Sequence, residues 1–171
     1  MTLKSSYIDT PLGVMNAIAD EKSLYFLEFS DHSGLEKKIE KLKLQVNANI
    51  VPGKCPLIYQ VEDELKKYFD GSLKEFKTPL HFLGSAFQNI VWSELINIPY
   101  GQTKSYASQA LAIKKQTAVR AVANANGANR IAIVIPCHRV INTNGNLGGY
   151  GGGITRKKWL IEFEIANSKQ V

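Results

Sequence analysis

Short apolar runs separated by turn residues open the chain. Residues 3–9, 14–19 and 24–29 each have the length of a strand. The segments between them, 10–13 and 20–23, contain the Pro, Gly, Asp and Ser residues that are typical of tight turns. This pattern predicts a β-meander.

The next segments have the spacing of helices. Apolar residues recur every three or four positions among charges over residues 35–44, which predicts a surface helix. A second helix is expected over residues 56–70, because Pro56 suits a first helical turn and Gly71 suits a C-terminal exit. Residues 72–84 show no clear period and are interpreted as a linker.

From residue 85 onward the pattern is mainly helical. Residues 85–88, Ser-Ala-Phe-Gln, have the form of a capping box, and the helix that they start should stop before Pro99. Two short helices are then expected over residues 106–112, capped by Ser105, and over residues 116–126. Such a pair is typical of a helix-turn-helix.

The last part of the chain alternates between apolar and glycine-rich segments. Residues 131–135 form a continuous apolar run, which is typical of a buried strand or another buried extended segment. The glycines of residues 145–153 indicate a loop, and a final helix is expected over residues 154–167. Its apolar face is predicted to hold Trp159, Leu160 and Phe163.

The order of elements and the chain length together predict a two-domain α/β protein. We place an α/β domain with a mixed sheet over residues 1–78 and a mostly helical domain over residues 79–171. Hydrophobic residues make up 44% and charged residues 21%, which is a globular composition. No apolar run approaches the roughly 18 residues of a membrane span, and no signal peptide is evident, so we expect a cytoplasmic protein without membrane contact.

Charge is distributed unevenly along the chain. Residues 85–171 hold ten Lys or Arg but only three acidic residues, whereas the first 84 residues are almost neutral. This asymmetry favours contact with a polyanion, although a solvated basic surface would explain it as well. The two cysteines and three scattered histidines offer no metal-ligand spacing, so we expect neither a metal nor a cofactor.

One segment combines residues that are suited to nucleophilic chemistry. A lone Cys after an apolar run is ordinarily a small core residue, but Cys137 follows Pro136 and precedes His138 and Arg139. The proline stiffens the turn, the histidine can take a proton, and a neighbouring cation favours a thiolate. We therefore interpret Cys137 as a candidate nucleophile, which a bridging water would connect to His138.

The segment Pro-Cys-His-Arg-Val at residues 136–140 resembles the active-site signature of the O6-alkylguanine-DNA alkyltransferases, also called methylated-DNA–protein-cysteine methyltransferases. The similarity covers about residues 85–165, and the N-terminal part agrees only in its length and order of elements. The further matching positions are Pro99-Tyr100-Gly101-Gln102-Thr103, Ser105-Tyr106, Arg120-Ala121-Val122, Asn129, Gly149-Tyr150, Gly152-Gly153 and Lys158-Trp159-Leu160 to Glu164.

The resemblance implies a ribonuclease-H-like first domain and direct reversal of O6-alkylguanine damage, with O4-alkylthymine as a second substrate. Cys137 would keep the alkyl group as a thioether, so each molecule would react once. His138 would deprotonate Cys137 through water, and Glu164 would orient the imidazole. Asn129 would brace the adjacent turn. Taken alone, Glu164 would be a solvated carboxylate and Asn129 a loop residue.

The resemblance also implies a monomer that binds double-stranded DNA through the minor groove. The damaged base must leave the duplex. Arg120 would replace the extruded base, and Tyr106 would turn the 3′ phosphate and contact guanine N3. Ala118, Ala121 and Ala123 would permit close approach to the groove, although high helix propensity explains these alanines equally well.

The base pocket is expected to include Val140, Tyr150, Gly151 and Gly152. Three positions depart from patterns found in the family. Gly151 stands where some members carry a Ser that bonds O6, and Arg130 and Ala132 stand where Pro occurs. These departures predict a roomier pocket that would accept larger alkyl groups.

Two other functions stay open at the level of sequence. A cysteine hydrolase could use Cys137, His138 and Glu164, and it would turn over repeatedly. A non-catalytic lesion-binding protein, similar to the alkyltransferase-like proteins, would usually carry another residue at the cysteine position.

Overall fold

The computed structural model describes residues 1–169. The chain separates into two compact units, one of residues 1–83 and one beginning at Gly84. The expected class, an α/β protein with an N-terminal sheet and a mostly helical second part, is confirmed. Within the described residues no helix is long and apolar enough to cross a membrane.

A four-stranded mixed sheet forms the centre of the first unit. Its strands are β1 (Thr2–Thr10), β2 (Gly13–Ala19), β3 (Leu24–Phe29) and β4 (Asn49–Pro52), in the spatial order β3-β2-β1-β4. The first three strands are antiparallel, which confirms the meander, and β4 pairs with β1 in parallel. The sequence did not predict β4, because four half-exposed residues carry no strand pattern of their own.

Two helices accompany the sheet. Helix α1 (Leu35–Val46) and helix α2 (Pro56–Phe69) agree with the predicted spans to within about two residues. A buried cluster that includes Leu3, Phe26 and Leu42 joins α1 to the strands, so α1 is anchored by a single apolar stripe.

The end of the first unit differs from the expected linker. The carboxylate of Glu64 accepts the backbone N–H groups of Lys77 and Thr78 at 2.7 and 3.0 Å. The carbonyl of Pro79 accepts the N–H of Leu24, and His81 stacks on Tyr25 at 4.5 Å. These contacts attach residues 77–83 to the first unit, so the division lies five residues after the predicted boundary at 78/79.

Up to residue 169, the second unit contains four α-helices and one short parallel strand pair. The helices are α3 (Ala86–Ile96), α4 (Tyr106–Ala112), α5 (Val119–Gly127) and α6 (Ile154–Ser168), and the strands are β5 (Lys104–Ser105) and β6 (Val140–Ile141). Both bonds of the predicted capping box are present, and Ser105 caps α4 through the N–H of Ser108. The helix-turn-helix is formed by α4 and α5.

Two predicted elements of this unit were wrong in detail. Helix α5 begins at Val119 and not at residue 116, because the chain turns through Lys114, which has a φ of +60°, and Ala118 bonds back to Lys115. Residues 131–135 are buried as expected but form consecutive turns instead of a strand. Ile133 has a φ of +70°, which breaks the extended path.

The buried face of α6 also differs from the prediction. Leu160 is buried, but Trp159 and Phe163 are half-buried and stack on each other at 4.7 Å. The other buried positions of the helix are Lys157 and Glu164, both charged. Burying a charged side chain costs free energy unless the charge is paired. We therefore expect Lys157 and Glu164 to have bonding partners in the interior of this unit.

Candidate active site

The cysteine lies on a turn that Asn129 holds from inside. Residues 137–139 form one turn of 3-10 helix between the buried apolar run and β6. The amide nitrogen of Asn129 lies 2.8 Å from the carbonyl oxygen of Ile135 and 3.3 Å from Sγ of Cys137, and its oxygen accepts the N–H of Ile131 at 3.0 Å. One buried side chain thus fixes both ends of the run and touches the thiol.

His138 and Glu164 form a buried hydrogen-bonded pair. Nε2 of His138 lies 2.8 Å from Oε2 of Glu164, and both side chains are at most 1% exposed. Burial alone would raise the pKa of Glu164, but the charges of His138 and Arg139 and their hydrogen bonds outweigh it and lower the pKa to about 2. Because an ionised carboxylate only accepts, Nε2 carries the hydrogen, which leaves Nδ1 as the ring nitrogen that can take up a proton. Nδ1 is buried and bonds no group within residues 1–169.

Arg139 has a role that the sequence analysis did not find. Its Nε and Nη2 bind the two carboxylate oxygens of Glu164 at 2.7 and 3.0 Å, and its Nη1 donates to the carbonyl of Ile98 at 2.7 Å. The guanidinium lies 5.7 Å from the ring centre of Tyr100. Glu164 is one of only three acidic residues after residue 84, which limits the possible ion pairs in this part of the chain. The sequence does not show which basic residue binds Glu164.

Cys137 opens into a cavity of about 410 Å³. The cavity is lined by residues of α4, α5 and the glycine loop: Tyr106, Ala123, Asn124, Asn126, Gly127, Cys137, Asn142, Gly148, Gly149, Tyr150 and Gly151. Of the four predicted pocket residues, Tyr150 and Gly151 line it, whereas Val140 and Gly152 do not. Val140 is fully buried and pairs with Lys104 in the short sheet.

Of the three positions at which the sequence departs from the family pattern, only one lines this cavity. Gly151 lines it, but Arg130 and Ala132 are buried outside its lining, at 8% and 3% exposure. Burial lowers the pKa of Arg130 from its usual value. The expectation of a roomier pocket therefore depends on Gly151 and not on the other two positions.

Lys157 ties the glycine loop to the rest of the unit, which the sequence analysis also missed. It is fully buried, and its Nζ donates to the carbonyls of Leu147 and Gly149 and lies 3.4 Å from the hydroxyl of Tyr106. Burial lowers the pKa of Lys157 to about 8, although negative charge on the nearby Cys137 acts in the opposite direction and raises it. Its hydrogen bonds place the loop beside Tyr106, where a Cβ added to Gly148 would lie 2.9 Å from the tyrosine oxygen.

The predicted DNA-contact residues occupy different environments. Tyr106 is 8% exposed and forms part of the cavity wall. Arg120 and Ala121 are exposed on α5, whereas Ala118 and Ala123 are half-buried, and Ala123 also lines the cavity. The helix-turn-helix thus presents an exposed arginine close in sequence to residues of the cavity.

Both units match described protein families. Residues 3–82 match the family described as the ribonuclease-like domain of 6-O-methylguanine DNA methyltransferase, and residues 86–166 match its DNA binding domain. The chain is 38% identical to a probable methylated-DNA–protein-cysteine methyltransferase of Acanthamoeba polyphaga mimivirus, over 98% of this chain and 100% of that protein.

A similar protein and a solved structure from mycobacteria agree with these matches. The chain is 53% identical over 102 residues to the methylated-DNA–protein-cysteine methyltransferase of Mycobacterium bovis, and this alignment spans 60% of the chain and 62% of the relative's length. The crystal structure of Mycobacterium tuberculosis OGT in complex with DNA superposes with a TM-score of 0.81 at 37% identity, covering 98% of this chain and 94% of the other.

Proposed function

Because this chain belongs to the family of 6-O-methylguanine DNA methyltransferases, we propose that it repairs DNA by transferring an alkyl group from O6 of guanine to Cys137. The observation that carries this proposal is the position of the Cys137 thiol. It lies at a cavity large enough for a nucleobase, next to a buried His138–Glu164 pair.

The buried His138–Glu164 pair supports the following route for activating the thiol. Nδ1 of His138 takes the proton of Cys137 through a bridging water, while Glu164 holds the hydrogen on Nε2. Sγ then attacks the alkyl carbon, and the bond from that carbon to O6 breaks. The electron pair stays on the guanine, which takes up a proton. The alkyl group stays on Cys137 as a thioether, so each molecule reacts once.

Asn129 and Lys157 support this step without reacting. The amide N–H of Asn129 points at Sγ and stabilises developing negative charge on it. The ammonium of Lys157 holds the loop that carries Tyr150 and Gly151, so the wall of the cavity stays in place. The reaction needs a free thiol at Cys137, which a reducing cytoplasm maintains.

The substrate is double-stranded DNA that contains O6-alkylguanine, bound by a monomer through the minor groove. Arg120 is exposed on α5 and fills the gap that the extruded base leaves. The neighbouring Ala121 is small and exposed, which lets the helix approach the shallow groove. Tyr106, at the cavity wall, turns the nucleotide inward.

Mass spectrometry tests this function against a hydrolase and a non-catalytic binder. Intact protein is mixed with duplex DNA containing O6-methylguanine, and we expect a gain of one methyl group per molecule. Peptide mapping should place the methyl group on Cys137 and not on Cys55. The Cys55 side chain is 4% exposed, and its S–H donates a hydrogen bond to the carbonyl of Asp20. Repeated turnover would support the hydrolase, and binding without any adduct would support the lesion-binding protein.

A further inference from the structure

His138 and Arg139 share one carboxylate in the interior of the second unit. Oε2 of Glu164 accepts Nε2–H of His138 at 2.8 Å, and Nη2 of Arg139 donates to the same oxygen at 3.0 Å. Nε of Arg139 donates to the other oxygen at 2.7 Å. The side chains of His138 and Glu164 are at most 1% exposed and that of Arg139 is 9% exposed. The guanidinium therefore lies close enough to influence any proton that the histidine takes up.

The charges of these groups balance because the arginine is present. While Nδ1 of His138 holds no proton, the pair of His138 and Glu164 carries one negative charge, and burying a single charge is costly. The guanidinium compensates this charge through its two hydrogen bonds, and its Nη1 donates to the carbonyl of Ile98 at 2.7 Å. The positive charge is thus fixed in position before any reaction begins.

Without the guanidinium the pair has two ways to lose its negative charge, and both place a proton on Nδ1. In the first, the imidazole becomes an imidazolium that faces the carboxylate. In the second, the carboxyl group of Glu164 is protonated and donates to Nε2, so the ring hydrogen moves to Nδ1. Either way the pair takes up one proton as a unit. The nitrogen that should receive the proton of Cys137 is then already occupied.

Other ionisable side chains in this region do not take the place of the guanidinium. The ring of Tyr100 lies 5.7 Å from Arg139, and burial and the charge of Glu164 raise the pKa of Tyr100, so this ring stays neutral. Cys137 becomes negative in the proposed reaction. Helix α6 also buries Lys157, but its ammonium is bonded to carbonyls of the glycine loop. Arg139 is the positive group that contacts the carboxylate.

We propose that Arg139 is a positioning residue that acts through Glu164 and keeps Nδ1 of His138 free of a proton at neutral pH. The proposal rests on the proposed function and deepens it by naming what sets the pH range of alkyl transfer. The carboxylate orients the imidazole, and the guanidinium prevents the carboxylate from drawing a proton onto the pair too early. When the guanidinium is removed, alkyl transfer should require a higher pH.

The test is the pH dependence of single-turnover methylation of Cys137 by duplex DNA containing O6-methylguanine, followed by intact mass from about pH 5 to 9. Arg139→Gln keeps a hydrogen-bond donor but loses the charge. We expect it to move the midpoint of the acid limb up by about one to three pH units. Below the midpoint the rate should fall about tenfold for each unit. Arg139→Lys keeps the charge, so its midpoint should stay at the wild-type value.

A second comparison avoids a carboxylate that has lost its cation. Glu164→Gln alone leaves the guanidinium beside the imidazole, where it opposes protonation. Its midpoint should therefore lie about one unit or more below that of Glu164→Gln combined with Arg139→Gln. This comparison decides the outcome if Arg139→Gln alone fails to fold, which tryptophan fluorescence reports. Lys158→Met is the control, because it removes an exposed charge from α6 and should keep the wild-type midpoint.

A residue that only packs the interior would lower the rate at every pH alike. An unchanged midpoint in folded protein when Arg139 is replaced by Gln, in either background, would therefore overturn the proposal. A shift for Arg139→Lys as large as that for Arg139→Gln would also overturn it, because the charge would not be the cause. If the wild-type protein is methylated at no pH, the proposed function itself fails.

Discussion

Arg139 and Glu164 meet as a two-point ion pair in the interior of the second unit. The guanidinium and the carboxylate are joined at 2.7 and 3.0 Å, and the same carboxylate accepts Nε2–H of His138. The arginine therefore neutralises the group that orients the proposed base. Removing the charge of Glu164 should affect both the stability of this unit and the chemistry at Cys137.

The stability effect should appear in acid. The pKa of Glu164 is lowered from 4.5 to about 2, so the folded state binds its proton less readily than the unfolded chain does. Its contribution is complete above pH 4.5 and is lost as the pH falls toward 2, with a size of about 3 kcal/mol. We expect wild type to lose stability over this window relative to Glu164→Gln, measured by urea unfolding.

Tryptophan fluorescence makes this measurement specific, because Trp92 and Trp159 are the only tryptophans and both lie in the second unit. Glu162→Gln is the matched control, since it removes an exposed carboxylate from the same helix. A difference between wild type and Glu164→Gln that stays constant from pH 7 to pH 2 would contradict the assignment.

The proposed proton transfer from Cys137 to His138 predicts that a substitution of His138 slows alkyl transfer. We expect His138→Ala to lower the single-turnover rate of alkyl transfer by roughly 10²–10⁴-fold at neutral pH, because the thiol loses its base. The deficit should shrink at higher pH as the thiol ionises without help. DNA affinity should stay the same, since the imidazole is fully buried. Transfer at the wild-type rate would mean that His138 is not the base.

The exposed arginine of α5 should matter only when a base has to leave the duplex. Arg120→Ala should slow transfer from duplex DNA by tens to hundreds-fold, in line with an unstacking cost of a few kcal/mol, and should leave transfer from free O6-methylguanine base nearly unchanged. Lys115→Ala is the control for loss of an exposed charge near the same helix. Equal losses on both substrates would assign Arg120 a structural role instead.

Lys157 should make stability depend on pH in the alkaline range. Its pKa is lowered from 10.5 to about 8, so between these values the unfolded chain holds a proton that the folded chain has released. Wild-type stability should therefore rise with pH from 8 to 10.5 relative to Lys157→Met, by up to about 3 kcal/mol. Urea unfolding followed by tryptophan fluorescence measures it, with Lys158→Met, an exposed neighbour, as the control. If the difference in stability between wild type and Lys157→Met does not change from pH 8 to 10.5, the amine of Lys157 does not titrate in that range.

The sequence predicted the elements whose signal is local. The capping box at Ser85, the N-cap at Ser105 and the meander all follow from short patterns, and all three are confirmed. The resemblance pointed to Cys137 and Glu164, but the sequence could not show that Arg139 holds this glutamate, because their pairing spans 25 residues. The burial of Lys157 was missed for the same reason, since a lysine beside Lys158 has the pattern of a solvated face.

Ile133 limits how far this part of the protein can vary. Its backbone has a φ of +70°, which favours glycine or asparagine, yet its side chain is 1% exposed and fills the interior. A change to glycine would relax the backbone but leave a cavity, and a change to asparagine would bury an amide. Neither substitution satisfies both demands, so the turn that precedes Cys137 combines backbone strain and tight packing in a single residue.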